Sequence, residues 1–309
     1  MLVLLEAWIA DELRKEFPDK GIKEGDSLAN NLMRVHDSTG ETFIILIDEY
    51  DVMVREQVPQ ALFEEYLSFL NGLFKSATLR PAISLAYLTG ILPIVRDKIQ
   101  SKLNNFEEYT VLDAGELAEF VGFIPDEVEA LCREWGMDYE DCRRWYDGYT
   151  QNGYEIYNPE SVVKSLRNKK YSNYWGKTSS YKAISDRLDA NFDGMKDAVV
   201  RMLSGENVPV NVTRYLNTMD SFLSRNDAFT YLLHVGYLAY NEEDENCRIP
   251  NREIRKEWEN AIETQPGYEA TYKIIEESKE LLTATLKGDE EAVARALDES
   301  HIHDEQQKL

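Results

Sequence analysis

The stretch Phe43-Ile44-Ile45-Leu46-Ile47-Asp48-Glu49-Tyr50-Asp51 decides the fold class of this 309-residue chain. Its five leading apolar residues are too few for a helix that would fill a core, and they suit a buried parallel strand. Two adjacent carboxylates, Asp48 and Glu49, follow at the C-terminal end. Ligands of open α/β sheets bind outside the carboxyl ends of the strands, so this pair stands where chemistry would be placed. A strand that simply runs into an acidic surface turn would read the same way. The rest of the chain has to separate the two readings.

Working outward, the periodicity predicts helices over about 2–16 and 27–37 before the strand, with Asp26 or Ser27 as N-cap. The N-terminal helix carries Leu4, Trp8, Ile9 and Leu13 as one stripe. After the strand, Leu62, Phe63, Tyr66, Leu67, Leu70, Leu73 and Phe74 mark one face of a further helix. Pro81 then precedes a second apolar strand, Ile83-Ser84-Leu85-Ala86-Tyr87-Leu88. Strand, helix, strand with a helix long enough for a crossover predicts a parallel sheet. P-loop nucleotidases need such a strand end as their Walker B element: a first acid holds Mg²⁺, usually through water, and a second polarises the attacking water. Asp48 and Glu49 fit those roles. Where such enzymes insert an extra central strand, the neighbouring strand ends in a polar residue that senses the γ-phosphate. Thr89 stands there, although a threonine at a strand end is also an ordinary structural residue.

Composition narrows the rest. An apolar share of 43% with 18 Tyr and 5 Trp describes a globular chain and argues against disorder. The formal charge of −23 repels phosphodiester backbones and argues against broad nucleic-acid binding. Cys132, Cys142 and Cys247 form no CxxC and leave one unpaired, which suits a reducing cytoplasm. The opening MLVLLEAWIADELRKEF is interrupted by Glu6, Asp11 and Glu12, so it reads as an amphipathic helix rather than a signal peptide. No run approaches the roughly 20 apolar residues of a membrane span. The expectation is a cytoplasmic protein without membrane contact.

From about residue 113 the texture turns helical. Helices are predicted from Asp126 through Trp135, over about 138–146, and from Asn158-Pro159 onward, where Asn caps and Pro fills the first turn. Further helices are expected at about 181–190, 193–204, 225–235, 250–262, 266–283 and 289–298. Asn152-Gly153 between Tyr149 and Tyr157 reads as a type I′ hairpin turn. Tyr237-Leu238-Ala239-Tyr240 is strand-like before an acidic turn. No internal repeat is present.

Nucleotide binding depends on GxxxxGK[ST], whose backbone amides and lysine neutralise the phosphates. Residues 1–42 contain no such motif. Its ending occurs once, at Gly176-Lys177-Thr178, where Tyr171 occupies the first glycine position and Tyr174 and Trp175 precede. That context, downstream of Asp48 and in helical territory, points to surface or packing residues.

Taken in order, several segments resemble a bacterial family, the AAA-ATPase-like proteins. They are the 43–51 stretch, Tyr87-Leu88-Thr89-Gly90-Ile91-Leu92-Pro93-Ile94, Ser101-Lys102-Leu103-Asn104-Asn105-Phe106, Arg144-Trp145-Tyr146-Asp147-Gly148-Tyr149, Tyr157-Asn158-Pro159 with Ser161, Asn173-Tyr174-Trp175 with Thr178, Gly236-Tyr237-Leu238 and Ile249-Pro250-Asn251. The resemblance runs from about residue 26 to 300. It implies a partial AAA-type α/β domain with a parallel sheet at about 1–112. A mainly helical lid or winged-helix-like region would follow at 113–262. A helical linker at 263–309 would lead toward a PD-(D/E)XK nuclease-like domain, which many members carry. ATP and Mg²⁺ are the implied ligands, with Asp48 on the metal side, Glu49 catalytic, Thr89 the sensor, and Arg96, where the family usually has Lys, facing a phosphate.

This chain departs from the family at both ends, since neither the Gly-rich phosphate loop nor the nuclease fold is present. Neither Pro18-Asp19, Pro125-Asp126 nor Glu253-Ile254-Arg255-Lys256 is a nuclease signature. A fragment cut at both ends would look like this, and so would a decayed paralogue that truly starts at Met1. Each site residue also has a bland reading. Arg96 suits a solvated helix, Asn104, Asn105 and Asp147 suit caps and turns, and Trp145, Tyr146 and Tyr157 suit packing. His301 and His303, with Asp304 and Glu305, suit a mobile polar terminus better than a metal site. Two functions remain: an ATP-dependent module, inactive as an isolated chain for want of its phosphate loop, and a non-catalytic interaction or regulatory module with a vestigial nucleotide site, its partner a protein or the nuclease-like domain.

Overall fold

The computed structural model describes residues 2–56, 58–91, 105–177, 182–190, 192–213, 222–263 and 265–295. It is a mixed α/β structure in two compact units, one of residues 1–110 with 215–222 and one of residues 111–214 with 223–309. Among the described residues no helix is long and apolar enough to cross a membrane.

In the first unit, helices α1 (Leu2–Glu16) and α2 (Leu28–Thr39) precede strand β1 (Phe43–Ile47). A short helix α3 (Val52–Arg55), helix α4 (Gln60–Phe74) and strand β2 (Ile83–Leu88) follow. β1 and β2 pair in parallel, in register from Ile44 with Leu85 to Ile47 with Leu88, and α4 makes the crossover that the strand–helix–strand spacing predicts. Ser27 caps α2 by accepting the Asn30 amide, and Gly40 ends it at φ 76°, a left-handed geometry in which a Cβ is disfavoured. Glu6 of α1 accepts the Leu28 amide at 3.0 Å, placing an anion at the positive end of α2.

One face of the strand pair carries the core. Phe43, Ile45 and Ile83 pack with Leu13, Leu28, Leu32, Leu73, Leu79 and Ala82, and Ile47 packs with Leu67 and Leu70. The other face is open: Ile44 is 63% exposed, Leu46 71%, Leu85 54% and Tyr87 49%. This corrects the expectation of a strand buried on both sides. Alternate residues of a strand point to opposite faces, and among the described residues nothing covers the outer one. The stripe expected on α1 is corrected too. Leu2, Ala10 and Leu13 are buried with Ile9 packed beside them, whereas Leu4 and Trp8 are exposed.

The second unit is mainly helical, with α5 (Pro125–Trp135), α6 (Tyr139–Tyr146), α7 (Pro159–Asn168), α8 (Lys182–Leu188), α9 (Met195–Leu203), α10 (Arg225–His234), α11 (Arg252–Glu263) and α12 (Glu269–Lys287). A hairpin of β3 (Tyr149–Gln151) and β4 (Tyr154–Ile156) turns through Asn152 at φ 47° and Gly153 at φ 85°. Two successive positive φ values are what a type I′ turn requires. Asn158 caps α7 by accepting the Ser161 amide at 2.9 Å. A three-stranded antiparallel sheet, β5 (Val208–Pro209), β7 (Asn246–Arg248) and β6 (Ala239–Asn241), was not expected beyond its β6 strand. The last predicted helix is described over 290–295; its remaining expected residues, 296–298, lie outside the described residues. The core around α5, α6 and α7 gathers Val128, Cys132, Cys142, Tyr146, Tyr157, Val162, Leu166 and Tyr174. All three cysteines are buried and free.

Candidate functional site

The parallel pairing of β1 and β2 brings both strands to a common carboxyl end, where Asp48 and Thr89 meet. The Thr89 hydroxyl donates to Asp48 Oδ1, and the Glu49 amide donates to the same oxygen at 3.0 Å. Backbone bonds hold the two ends in place: the Thr89 amide donates to the Ile47 carbonyl and the Tyr50 amide to the Thr89 carbonyl, each at 2.9 Å. Asp48 is exposed, and its other carboxylate oxygen takes none of these bonds.

Glu49 sits in the left-handed region at φ 53°, which costs a residue with a Cβ about 1–2 kcal/mol relative to right-handed geometry. That kink turns the chain out of β1 and into α3, whose start is marked by the Val52 amide donating to the Glu49 carbonyl at 2.9 Å. The side chain of Glu49 is exposed beside Asp48. Tyr50 is tied to α4, since the Tyr66 hydroxyl donates to the Tyr50 carbonyl at 2.9 Å. Burial, with the nearby Asp51 charge as a lesser cause, pushes the Tyr66 phenol up to about 12. Asp51, for which the motif suggested no role, is the one buried carboxylate in this region, only 2% exposed. The signal in the sequence was an acid two residues past the pair, on a turn where solvent exposure would be the default.

The donor set fits one half of a magnesium–nucleotide site. An exposed carboxylate and a neighbouring hydroxyl at a strand end match how Mg²⁺ is held, through one or two carboxylates with waters and substrate phosphates. Among the described residues no cluster of three or more His, Cys, Asp or Glu could hold a metal by itself. Arg96, expected to face a phosphate, lies outside the described residues, as do Asn104, His301, His303, Asp304 and Glu305. Asn105 is described and donates to the Phe74 carbonyl at 3.2 Å at the end of α4.

The glycine of Gly176-Lys177-Thr178 lies in a turn that is already filled by the protein's own anions. The Tyr174 and Trp175 amides donate to Glu253 Oε1 at 2.6 and 3.0 Å. The Gly176 amide donates to Asn173 Oδ1 at 3.0 Å, and Asn173 Nδ2 donates to Glu257 Oε1. A Cβ on Gly176 would lie 2.6 Å from that glutamate oxygen. Carboxylates thus take the place around Gly176 that phosphates would need.

The remaining quoted motifs interlock within the second unit. Asp147 and Gly148 offer their carbonyls to Asn251 Nδ2 at 2.8 Å and to an Arg248 guanidinium nitrogen at 2.9 Å. A Cβ on Gly148, at φ 111°, would stand 2.1 Å from the Pro250 carbonyl oxygen. The Tyr149 hydroxyl donates to the Gly236 carbonyl at 2.7 Å, and Trp175 packs against Tyr237. These segments are read as packing and turn residues, as the bland reading of Trp145, Tyr146, Tyr157 and Asp147 has it.

Comparison with known proteins agrees with the family resemblance. Residues 5–100 match the model of the AAA-ATPase-like family, described as predicted AAA-ATPase. Over that segment the chain is similar to a predicted AAA-ATPase-like domain, while the motifs quoted from residue 101 onward lie outside it. A relative from Azotobacter chroococcum mcd 1, described as an uncharacterized protein in the vnfD 5′ region, is 24% identical over 161 residues. The alignment covers 51% of this chain and 31% of that relative, so the chain spans less than a third of its length. No solved structure matches.

Proposed function

We propose that the first unit is an AAA-type nucleotidase module whose acidic side is intact and whose phosphate side is not supplied by these 309 residues. The observation that carries this reading is the Asp48–Thr89 contact at the carboxyl ends of two parallel strands. Asp48 would hold the hydration shell of Mg²⁺, Glu49 would orient the attacking water and accept its proton, and Thr89 would sense the terminal phosphate. Arg96 is assigned a phosphate contact on the family resemblance alone. Bound Mg²⁺ would supply the charge that lets a di-acid strand end face a polyphosphate. Positioning and electrostatic stabilisation are nearly all of phosphoryl-transfer catalysis, so without a Gly-rich amide cradle and its lysine the chain alone binds Mg·ATP weakly and does not turn it over.

A second reading is supported by the internal satisfaction of Asp48. Its Oδ1 already accepts two hydrogen bonds, as it would in a vestigial site kept for packing inside an interaction module. Fusing a strand–GxxxxGK[ST]–helix segment ahead of residue 1 separates the two. A nucleotidase module gains Mg·ATP turnover that Asp48→Asn and Glu49→Gln each abolish; turnover that stays absent in the folded fusion rejects the nucleotidase reading.

A further inference from the structure

Asp51 stands at the point where the β1 backbone leaves the strand pair. The ladder runs regularly through Ile47 and Thr89 and ends with the Tyr50 amide on the Thr89 carbonyl. The turn at Glu49 then carries the β1 backbone into α3, and the next amide along the other strand, that of Ile91, has no β1 carbonyl opposite it. Asp51 Oδ2 accepts that amide at 3.2 Å. Ile91 is itself 45% exposed, so the buried partner in this bond is the Asp51 carboxylate, and a hydrogen bond to a charged group is worth about 1.5–3 kcal/mol. Asp51 Oδ1 lies against the intervening residue: a Cβ on Gly90 would be 2.8 Å from it and 2.7 Å from the Tyr50 ring. The two chains cross so closely here that a glycine is required between Thr89 and Ile91.

We propose that Asp51 is a positioning residue for the strand-end site: its buried carboxylate continues the β1–β2 pairing past the end of the strand and holds Thr89 against Asp48. This inference rests on the functional reading of Asp48 and Thr89 for its consequence, but not for its geometry. Thr89 is clamped on one side by the Ile47–Tyr50 backbone bonds and on the other by Asp51 through Ile91. Release of the second clamp frees the hydroxyl from Asp48.

Amide hydrogen exchange and ¹H–¹⁵N NMR on the full chain test it, with Mn²⁺ alone as a paramagnetic probe. Asp51→Ala should speed exchange of the Ile91 amide by about 10- to 100-fold, the loss expected for a hydrogen bond to a charged group. Asp51→Asn, which keeps an acceptor oxygen, should restore most of the protection. In the unaltered chain a through-hydrogen-bond coupling should join the Ile91 amide nitrogen to the Asp51 carboxyl carbon, and this measurement decides the matter if Asp51→Ala does not fold. Mn²⁺ should broaden the residues around Asp48 in the unaltered chain and in both variants, while the Thr89 amide cross-peak should shift in Asp51→Ala and return close to its native position in Asp51→Asn. Unchanged Ile91 exchange in Asp51→Ala, or no coupling between Ile91 and the Asp51 carboxyl in the unaltered chain, overturns the proposal. Absence of Mn²⁺ broadening around Asp48 in the unaltered chain counts against the nucleotidase reading instead, and leaves the Ile91 measurements to judge Asp51.

Discussion

Four residues, Asp48, Glu49, Thr89 and Gly90, account for most of what the strand end can do, and each does it through a different physical property. Asp48 contributes an exposed carboxylate and Thr89 a hydroxyl that orients it. Glu49 contributes a left-handed backbone and Gly90 the absence of a side chain. Gly90→Ala should therefore destabilise the first unit by about 1–3 kcal/mol, the usual cost of overpacking, seen as a lowered urea midpoint. Thr89→Val removes only a partly exposed hydroxyl, and about 0.5–1.5 kcal/mol is expected from that loss. If the alanine at position 90 proves neutral while Thr89→Val is severe, the close crossing of the two chains has been misread. The acids and Thr89 were legible in the sequence because strand ends announce themselves by an abrupt change from apolar to charged. The left-handed Glu49 and the buried Asp51 were not, since both follow from the tertiary path of the turn and leave no periodic trace.

Elements were legible in proportion to their length and pattern. The apolar runs at 43–47 and 83–88 match β1 and β2, and α2 and α7 start just after Ser27 and Asn158, residues read as caps in the sequence. β5 and β7, of two and three residues, carry too little alternation to be read and exist only through pairing. α11 shows a feature that no pattern suggests, two buried glutamates one turn apart that grip the 173–176 turn. Burial raises both Glu253 and Glu257 above the ordinary glutamate range, with the amide bonds from Tyr174 and Trp175 opposing it at Glu253 and that from Asn173 at Glu257. The folded state then holds these protons more tightly than the unfolded chain. Their contribution to stability is fully present below the unfolded glutamate pKa and is lost as pH rises through the folded values. His234 works in the opposite direction: burial lowers its imidazole to about 4, so its contribution is present above the unfolded value near 6.5 and is lost as pH falls toward 4. Glu257→Gln keeps an acceptor for Asn173 without the buried charge. It should raise the melting temperature at pH 7 by a few degrees, as removal of an unpaired buried charge of about 1 kcal/mol would, and it should flatten the fall in stability on the alkaline side. An unchanged pH profile in calorimetric melts of this variant would show that Glu257 carries no excess proton affinity.

At the scale of the molecule, two features stand out: a formal charge of −23 and a strand pair with one apolar face that is uncovered among the described residues. The composition made the first plain. The second was hidden, because five apolar residues in a row read as burial on both sides, and only the paired structure shows which side the core occupies. Leu46 on the open face and Leu70 on α4 should therefore respond in opposite ways. Leu46→Lys should change stability by no more than about 0.5 kcal/mol, whereas Leu70→Ala, which empties a fully buried position, should cost about 2–5 kcal/mol. Equal losses in denaturant titrations would mean that the face is covered in solution. On the proposed function the acidity matters as well, because a strand end that would offer Asp48 and Glu49 to a polyphosphate would need cations from elsewhere. The most direct test of the account is isothermal calorimetry of Mg·ATP into the folded 309-residue chain. On the proposed reading no saturable binding in the micromolar range is expected, since the chain would supply the acidic half of the site without an amide-and-lysine cradle for the phosphates. Micromolar affinity that Asp48→Ala abolishes would contradict it, and would mean that the phosphates are held by residues of this chain that neither its motifs nor its geometry reveal.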